Sequence, residues 1–184
     1  MCRTVSGSTF VLEDCSGMTW TNDCMTTQRL RLRAATELDK PVIAKLLQDP
    51  EVRKYLGGPA SAEDLQAFND STEGERWGSF VIADGAIDLA MGVLNFSDHR
   101  GEWELSCELL PRYWGRGFAL EAAKAAIEWA WADPAPIDAE SIIAVTQKTN
   151  LASIALLERL GFVHERTFSE SGASHAQYRL HRLD

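Results

Sequence analysis

The stretch Arg112-Tyr113-Trp114-Gly115-Arg116-Gly117-Phe118-Ala119 carries the most information about the architecture of this chain. It follows an apolar, strand-like segment at 105–110 and leads into 120–131, where apolar residues recur at helical spacing. The first N–H groups of a helix have no partner within it and carry partial positive charge. Glycines let the backbone approach an anion closely, and the two arginines add permanent charge. The stretch therefore predicts a phosphate-binding turn between a strand and a helix.

The loop motif alone leaves its ligand open. No Gly-Lys-Ser/Thr ends the loop, so it is not a Walker loop, and the third glycine of a dinucleotide-binding fingerprint is missing. A Gly-x-Gly sequence also occurs in plain strand-to-helix turns. The choice between a binding loop and a plain turn depends on the rest of the chain.

A second strand-to-helix unit follows downstream. A β-branched run from 141 to 146 precedes Asn150-Leu151-Ala152-Ser153, and Asn150 is a natural N-cap for a helix over 150–160. Gly161 is a natural helix stop. By itself this segment is a capped helix. Two such units in tandem, the first with an anion loop, form a more specific combination.

These two segments together resemble the GCN5-related N-acetyltransferases (GNAT). The loop is similar to the family's acyl-CoA signature, Arg/Gln-x-x-Gly-x-Gly/Ala, and Asn-x-x-Ser followed by Leu-Glu-Arg-Leu-Gly-Phe at 157–162 is similar to a later block. Segments 27–33, 49–56 and 104–115 resemble the RimJ/RimL branch, whose members acetylate ribosomal-protein N-termini. The resemblance covers roughly residues 27–182.

The order of the patterns predicts the fold class. One strand, helices, three strands, a helix, a strand, a helix and two strands indicate an α+β (mixed α/β) fold. The resemblance implies a central, mainly antiparallel sheet with one parallel, splayed pair, flanked by helices. We expect a single domain at 27–184, preceded by a flexible N-terminal extension at 1–26 that is rich in Ser and Thr.

The resemblance also implies acetyl-CoA as cosubstrate. Its pantetheine arm is expected in the gap between the strands ending at Leu110 and Thr146, where main-chain groups bind it as an added strand would. The pyrophosphate is expected on the loop, and Asn150 near the thioester, a role compatible with capping. The predicted cofactor-binding residues are Leu109, Leu110, Arg112, Gly115, Arg116, Gly117, Phe118, Ala119 and Asn150.

Acetyl transfer to an alkyl ammonium requires removal of a proton first, which a carboxylate can accept. Glu104 matches the acidic position of the related branch and is the predicted base. Glu102 and Glu108 are alternatives, because alternation places all three on one face of the strand. That face could equally be solvated and inert.

The family's usual proton donor to the leaving thiolate is a tyrosine, and Leu157 stands at the matching position. The related branch suggests Ser153 as the catalytic substitute, against the plainer reading of a serine in a first helical turn. The departure at Leu157 keeps a second hypothesis open, a non-catalytic module that binds CoA or an effector with the same fold.

Composition restricts the partners. A net charge of −9 argues against nucleic-acid binding and is compatible with a cationic amine acceptor, either a peptide N-terminus or a small molecule. No apolar run approaches membrane-spanning length, and no secretory signal is evident, so we expect a cytoplasmic protein. The scattered histidines and four cysteines match no metal site. Related proteins often dimerise, which makes a homodimer a further expectation.

Overall fold

The computed structural model describes residues 2–5, 8–11, 25–70, 78–99, 101–132 and 136–182. Its strands are β1 (Cys2–Val5), β2 (Ser8–Val11), β3 (Met25–Thr26), β4 (Leu30–Arg33), β5 (Ser79–Asp84), β6 (Ala90–His99), β7 (Glu102–Leu109), β8 (Ser141–Gln147), β9 (Val163–Glu170) and β10 (Ala173–His181). Its helices are α1 (Lys40–Gln48), α2 (Pro50–Arg53), α3 (Ala62–Asp70), α4 (Phe118–Ala130) and α5 (Leu151–Arg159), with 3₁₀ turns at Glu37–Asp39 and Pro111–Tyr113.

The strands form one sheet in the order β1-β2-β3-β4-β5-β6-β7-β8-β10-β9. Neighbouring strands run antiparallel except β7 and β8, which are parallel because α4 crosses over between them. This arrangement confirms the predicted mixed α/β fold with a mainly antiparallel sheet.

The parallel pair separates along its length. A single bridge joins the two strands, with Glu104 opposite Ile143. Beyond it β7 continues to Leu109 and β8 to Gln147 without further register between them. The two carboxyl ends are therefore not paired with each other, which agrees with the predicted splayed pair, and the space between them is called the gap below.

The two faces of the sheet are covered differently. The main core lies against α4 and α5, where alternate residues of β7 such as Leu105 and Leu109 pack with small residues of α4 and with Trp129. On the other face α1 covers Val81 and Ala83 through Val42 and Ile43. The side chains of Glu102, Glu104, Ser106 and Glu108 point toward this second face, at a distance from the main core.

The predicted helix at 120–131 begins two residues earlier, at Phe118, because the second loop glycine takes the capping position. Most of residues 1–26 lie outside the described residues, so the flexibility of this extension stays a prediction. In the part of the chain that the structure describes, no helix has both the length and the apolar character needed to cross a membrane.

Candidate functional site

The loop between β7 and α4 has the geometry of an anion site. After the 3₁₀ turn, Gly115 and Gly117 adopt φ of +70° and +78°, which only glycine takes without strain. Gly117 is the residue immediately before α4, so the loop enters the helix without a capping side chain. The loop residues from Trp114 to Gly117 are exposed. The first N–H groups of α4 are thereby available to a solvent-borne anion.

Two arginines flank this loop, as predicted. The guanidinium of Arg112 lies 4.9 Å from the ring centre of Tyr113, and that of Arg116 lies 4.9 Å from the ring centre of Phe118. Both arginines are exposed. Stacking holds the two charges on rings of the loop and of the first residue of α4.

A set of contacts that the sequence did not reveal, here called the brace, holds the loop from Arg29, which immediately precedes β4. Arg29 forms an ion pair with Glu121 at 2.6 Å, and its Nη1 donates to the carbonyl of Arg116 at 3.0 Å. Its guanidinium also stacks on Phe118, 4.4 Å from the ring centre. Burial alone would raise the pKa of Glu121, but hydrogen bonds from Thr27 and Arg29 outweigh it and lower the pKa. The brace fixes the carbonyl that precedes the second loop glycine.

Main-chain groups at the end of β7 are partly engaged. The N–H of Leu110 donates to Met91 at 3.0 Å, and its carbonyl accepts from Tyr113 at 2.9 Å. Because backbone groups of successive residues point to opposite neighbours, those of Leu109 point toward β8 and the gap. The Leu109 carbonyl accepts the indole N–H of Trp114 at 2.7 Å. The main-chain groups of Leu109 thus face the gap in which the pantetheine arm is predicted. Both main-chain groups of Leu110 are hydrogen-bonded within the protein.

Asn150 caps α5, as its position predicted. Its Oδ1 accepts the backbone N–H of Ser153 at 3.2 Å. The cap therefore does not use the N–H groups of the side-chain amide. Ser153 is half-buried in the first turn of α5. Leu157, which stands where the family places a tyrosine, is 5% exposed and belongs to the main core.

Glu104 lies where the splayed strands separate. Its carboxylate accepts a hydrogen bond from the N–H of Val145, two residues beyond the bridge with Ile143. Its Oε2 lies 3.3 Å from Nδ1 of His99 on β6. Burial raises the pKa of Glu104 above its ordinary value, and His99 and the Val145 N–H offset only part of that rise. The carboxyl is therefore more basic than an exposed glutamate and can accept a proton more readily.

The other two predicted carboxylates have arginine partners. Glu102 accepts from Arg179 at 2.6 Å, and Glu108 lies 3.5 Å from Arg53 of α2. Burial raises the pKa of Glu108 as well, and its contact with Arg53 offsets only part of that rise. Glu104 contacts a histidine in place of a guanidinium group. Sequence reasoning missed His99, Arg53 and Arg179, because each pairing depends on strand register or helix placement.

Metal-binding clusters are not found in the described residues, where no three of His, Cys, Asp and Glu come together in a suitable group. Cys107 lies on the core side of β7, and burial raises the pKa of its thiol to about 12. A thiol with that pKa is protonated at neutral pH and is a poor nucleophile.

Comparison with known proteins identifies the scaffold. Residues 29–163 match the model of the family described as acetyltransferase (GNAT) domain. The chain is 32% identical over 149 residues to a protein of Bacillus licheniformis named uncharacterized N-acetyltransferase p20, covering 76% of this chain and 82% of that protein.

Solved structures agree. An acetyltransferase (GNAT family) from Bacillus anthracis superimposes with a TM-score of 0.74 at 22% identity, covering 86% of this chain and 98% of that one. A spermidine N-acetyltransferase from Vibrio cholerae, solved in complex with CoA and spermine, gives a TM-score of 0.69 at 20% identity, with 83% and 95% covered. At these sequence identities the structural similarity shows the fold alone.

Proposed function

Since this chain belongs to the GNAT acetyltransferase family and is an acyl-CoA-dependent N-acetyltransferase, we propose that it transfers the acetyl group of acetyl-CoA to a primary amine by direct attack in a ternary complex. The acceptor is the N-terminus of a protein or a small amine. The observation that carries this proposal is the position of Glu104, a partly buried carboxylate at the point where β7 and β8 separate.

Acetyl-CoA enters between β7 and β8 in this proposal. Its pyrophosphate binds the N–H groups from Gly115 to Ala119 at the start of α4, where the exposed loop and the helix dipole favour an anion. Arg112 and Arg116 supply charge. The pantetheine amides pair with main-chain groups that face the gap, among them the N–H of Leu109, whose carbonyl already accepts from the Trp114 indole. Leu110 keeps a packing role.

The side-chain amide of Asn150 lies at the start of α5 and is proposed to donate to the pantetheine arm near the thioester. Capping uses its oxygen, so the amide N–H groups can serve the ligand without loss of the cap. The two functions use different atoms of one side chain and reinforce each other, because the cap fixes the orientation of the donor.

Glu104 accepts the proton that the ammonium group must lose. The neutral amine then attacks the thioester carbonyl, and a backbone N–H at the splayed strands stabilises the oxyanion. Ser153 donates a hydrogen bond to the departing sulfur. With leucine at the family's tyrosine position, proton donation to sulfur is a minor part of the rate in this proposal, since thiolates leave readily.

An amine acceptor is supported by the chemistry of the open sheet face and by one structural neighbour. The face carries Glu102, Glu104 and Glu108, and the whole chain has a net charge of −9. Arginines pair with Glu102 and Glu108, so the attraction for a cation comes from Glu104 and from the net negative charge. The neighbour from Vibrio cholerae binds spermine on the same fold. The RimJ/RimL-like segments support a protein N-terminus instead, and the two acceptor types are to be compared directly.

The alternative function is a CoA- or effector-binding module without turnover. The observation that favours it is Leu157, buried in the main core where the family's proton donor stands. Such a module would bind CoA through the same loop and release no thiol with any amine.

The test measures thiol release from acetyl-CoA with a panel of alanine- and serine-starting peptides, diamines and amino acids. Glu104→Gln should lower kcat by about 100-fold or more, the lower range of general-base effects, while the affinity for CoA is unchanged. Glu108→Gln, on the same face but paired with Arg53, is the matched comparison and should retain most of the rate.

Two outcomes count against the proposal, and a third chooses between the two acceptor types. A large loss in Glu108→Gln with a full rate in Glu104→Gln would move the base along the strand. Tight CoA binding without turnover on every acceptor would favour the binding module. Activity confined to peptides would assign the acceptor to protein N-termini.

A further inference from the structure

We propose that His99 is the proton outlet of Glu104, a positioning residue that accepts the acceptor's proton from the carboxyl group and passes it to solvent. This inference rests on the proposed function, because it takes Glu104 as the base that deprotonates the amine. It assigns a role to a residue that lies outside the loop, the gap and the helix N-terminus described above.

The geometry places the two side chains on one face of neighbouring strands. In the register of β6 and β7, Glu104 lies opposite Ser97 and His99 lies opposite Glu102, so His99 and Glu104 are diagonal neighbours. Nδ1 of His99 is 3.3 Å from Oε2 of Glu104. That distance is slightly long for a hydrogen bond, and such contacts commonly tighten when the substrate binds.

The exposed fractions of the two side chains indicate the direction in which the proton moves through this pair, here called the relay. The side chain of Glu104 is 19% exposed and that of His99 is 31% exposed, so the imidazole is the partner nearer to bulk water. His99 is also the last residue of β6, beside the turn that leads to β7. A proton on the carboxyl thus reaches solvent through the ring over one short step.

Other groups near the carboxylate do not offer this route. The Val145 N–H donates to Glu104 from β8 but does not titrate. On β7 itself, Glu102 is bound by Arg179 of β10 and Glu108 by Arg53 of α2. Guanidinium groups stay protonated and cannot accept a proton. Among the residues that the structure describes, His99 is the titratable group in contact with Glu104.

The proton balance is complete without a further reactant. The ammonium N–H bond breaks as an O–H bond forms on Glu104, and the freed lone pair attacks the thioester. The carboxyl O–H then breaks as Nδ1 of neutral His99 gains the proton. Nε2 gives its own proton to water, and the ring returns to its starting tautomer by exchange with solvent. As the tetrahedral intermediate collapses, the C–S bond breaks and the nitrogen loses its second proton, which ends on the CoA thiolate. The net release is therefore one proton per turnover from the ammonium group to bulk water.

A histidine that only fixes the carboxylate by contact would occupy the same place, and variants separate the two roles. Glutamine at 99 keeps a hydrogen-bonding side chain but cannot carry a proton. Alanine leaves a space that a small imidazole molecule can enter. His164, an exposed histidine of β9 that contacts Thr167, supplies the control variant His164→Ala.

The experiment follows single-turnover thiol release in weakly buffered solution, with and without added imidazole. We expect His99→Ala and His99→Gln each to lower the rate by about tenfold, a fraction of the full general-base effect, with unchanged affinity for CoA. Added imidazole should accelerate His99→Ala toward the wild-type rate and leave the wild type, His164→Ala and Glu104→Gln unaffected.

The outcomes separate the inference from the function beneath it. A wild-type rate in His99→Gln would overturn the relay and leave a contact role only. A slow His99→Ala that imidazole does not accelerate would also overturn it. Absence of thiol release from the wild type, or a full rate in Glu104→Gln, would instead overturn the proposed function on which the relay depends.

Discussion

Replacing Gly117 by alanine should weaken CoA binding while the protein stays folded. Gly117 has φ of +78° immediately before α4, a left-handed conformation that costs a residue with a Cβ roughly 1–2 kcal/mol. The added Cβ would lie 3.5 Å from Nη2 of Arg29, which is an ordinary contact. The cost therefore comes from the backbone and not from a collision.

The magnitude of the affinity loss follows from where that strain is relieved. In the free variant the exposed loop can leave the left-handed conformation and turn its N–H groups away from the anion site. CoA must then restore the bound conformation, so about 1–2 kcal/mol is subtracted from binding, which is roughly a 5- to 30-fold increase in Kd.

Calorimetric titration of CoA into wild type and Gly117→Ala measures this directly, with thermal unfolding recorded in parallel. The matched control is Gly172→Ala in the turn between β9 and β10, where φ is also +78° and no heavy atom lies within 4 Å of the added Cβ. The control should lose comparable stability and keep its CoA affinity. Equal CoA affinity in wild type and a folded Gly117→Ala protein would refute the reasoning.

Three further predictions concern the surroundings of the site. Arg29→Ala should weaken CoA binding several-fold. Arg29→Lys should restore only part of it, because a lysine ammonium lacks the planar fork that spans Glu121 and the Arg116 carbonyl. Calorimetric titration measures both, and equal CoA affinities in the wild type and the two variants would show that the brace does not support CoA binding. Asp39→Asn should lower the free energy of unfolding by about 3 kcal/mol at pH 7 through loss of its buried pair with Arg33. Burial alone would raise the pKa of Asp39, but hydrogen bonds outweigh it and lower the pKa. The difference in unfolding free energy between wild type and variant should therefore shrink as the pH falls through about 4 and below. Urea unfolding that finds the same difference at every pH would contradict this. Cys107 should resist alkylation at pH 8 in the folded protein, since its thiol has a pKa of about 12; peptide mapping that finds it labelled as fast as in urea would contradict its burial.

The glycine turn and the helix cap of the site could be predicted from sequence, because each depends only on residues that are close together in the chain. Gly115 and Gly117 before a helical pattern indicate a turn with positive φ, and Asn150 before another such pattern indicates a cap; both lie there in the structure. The alternation of β7 also placed its three glutamates on one face. These inferences need only neighbouring residues and the period of the element.

Pairings between distant elements could not be predicted. Arg29 and Glu121 lie 92 residues apart, and nothing near either one indicates the other. His99 is five positions from Glu104, yet their contact depends on the register across the turn. Alternation alone could not rank the glutamates, since the ranking comes from partners on β6, β10 and α2.

The most direct test of the central claim is a crystal structure of the protein with a non-reactive thioether analogue of acetyl-CoA. We expect the pyrophosphate at the N-terminus of α4, the pantetheine arm between β7 and β8, and the acetyl group beside Glu104. A ligand bound elsewhere, or a gap that stays closed by side chains while CoA occupies another surface, would contradict it.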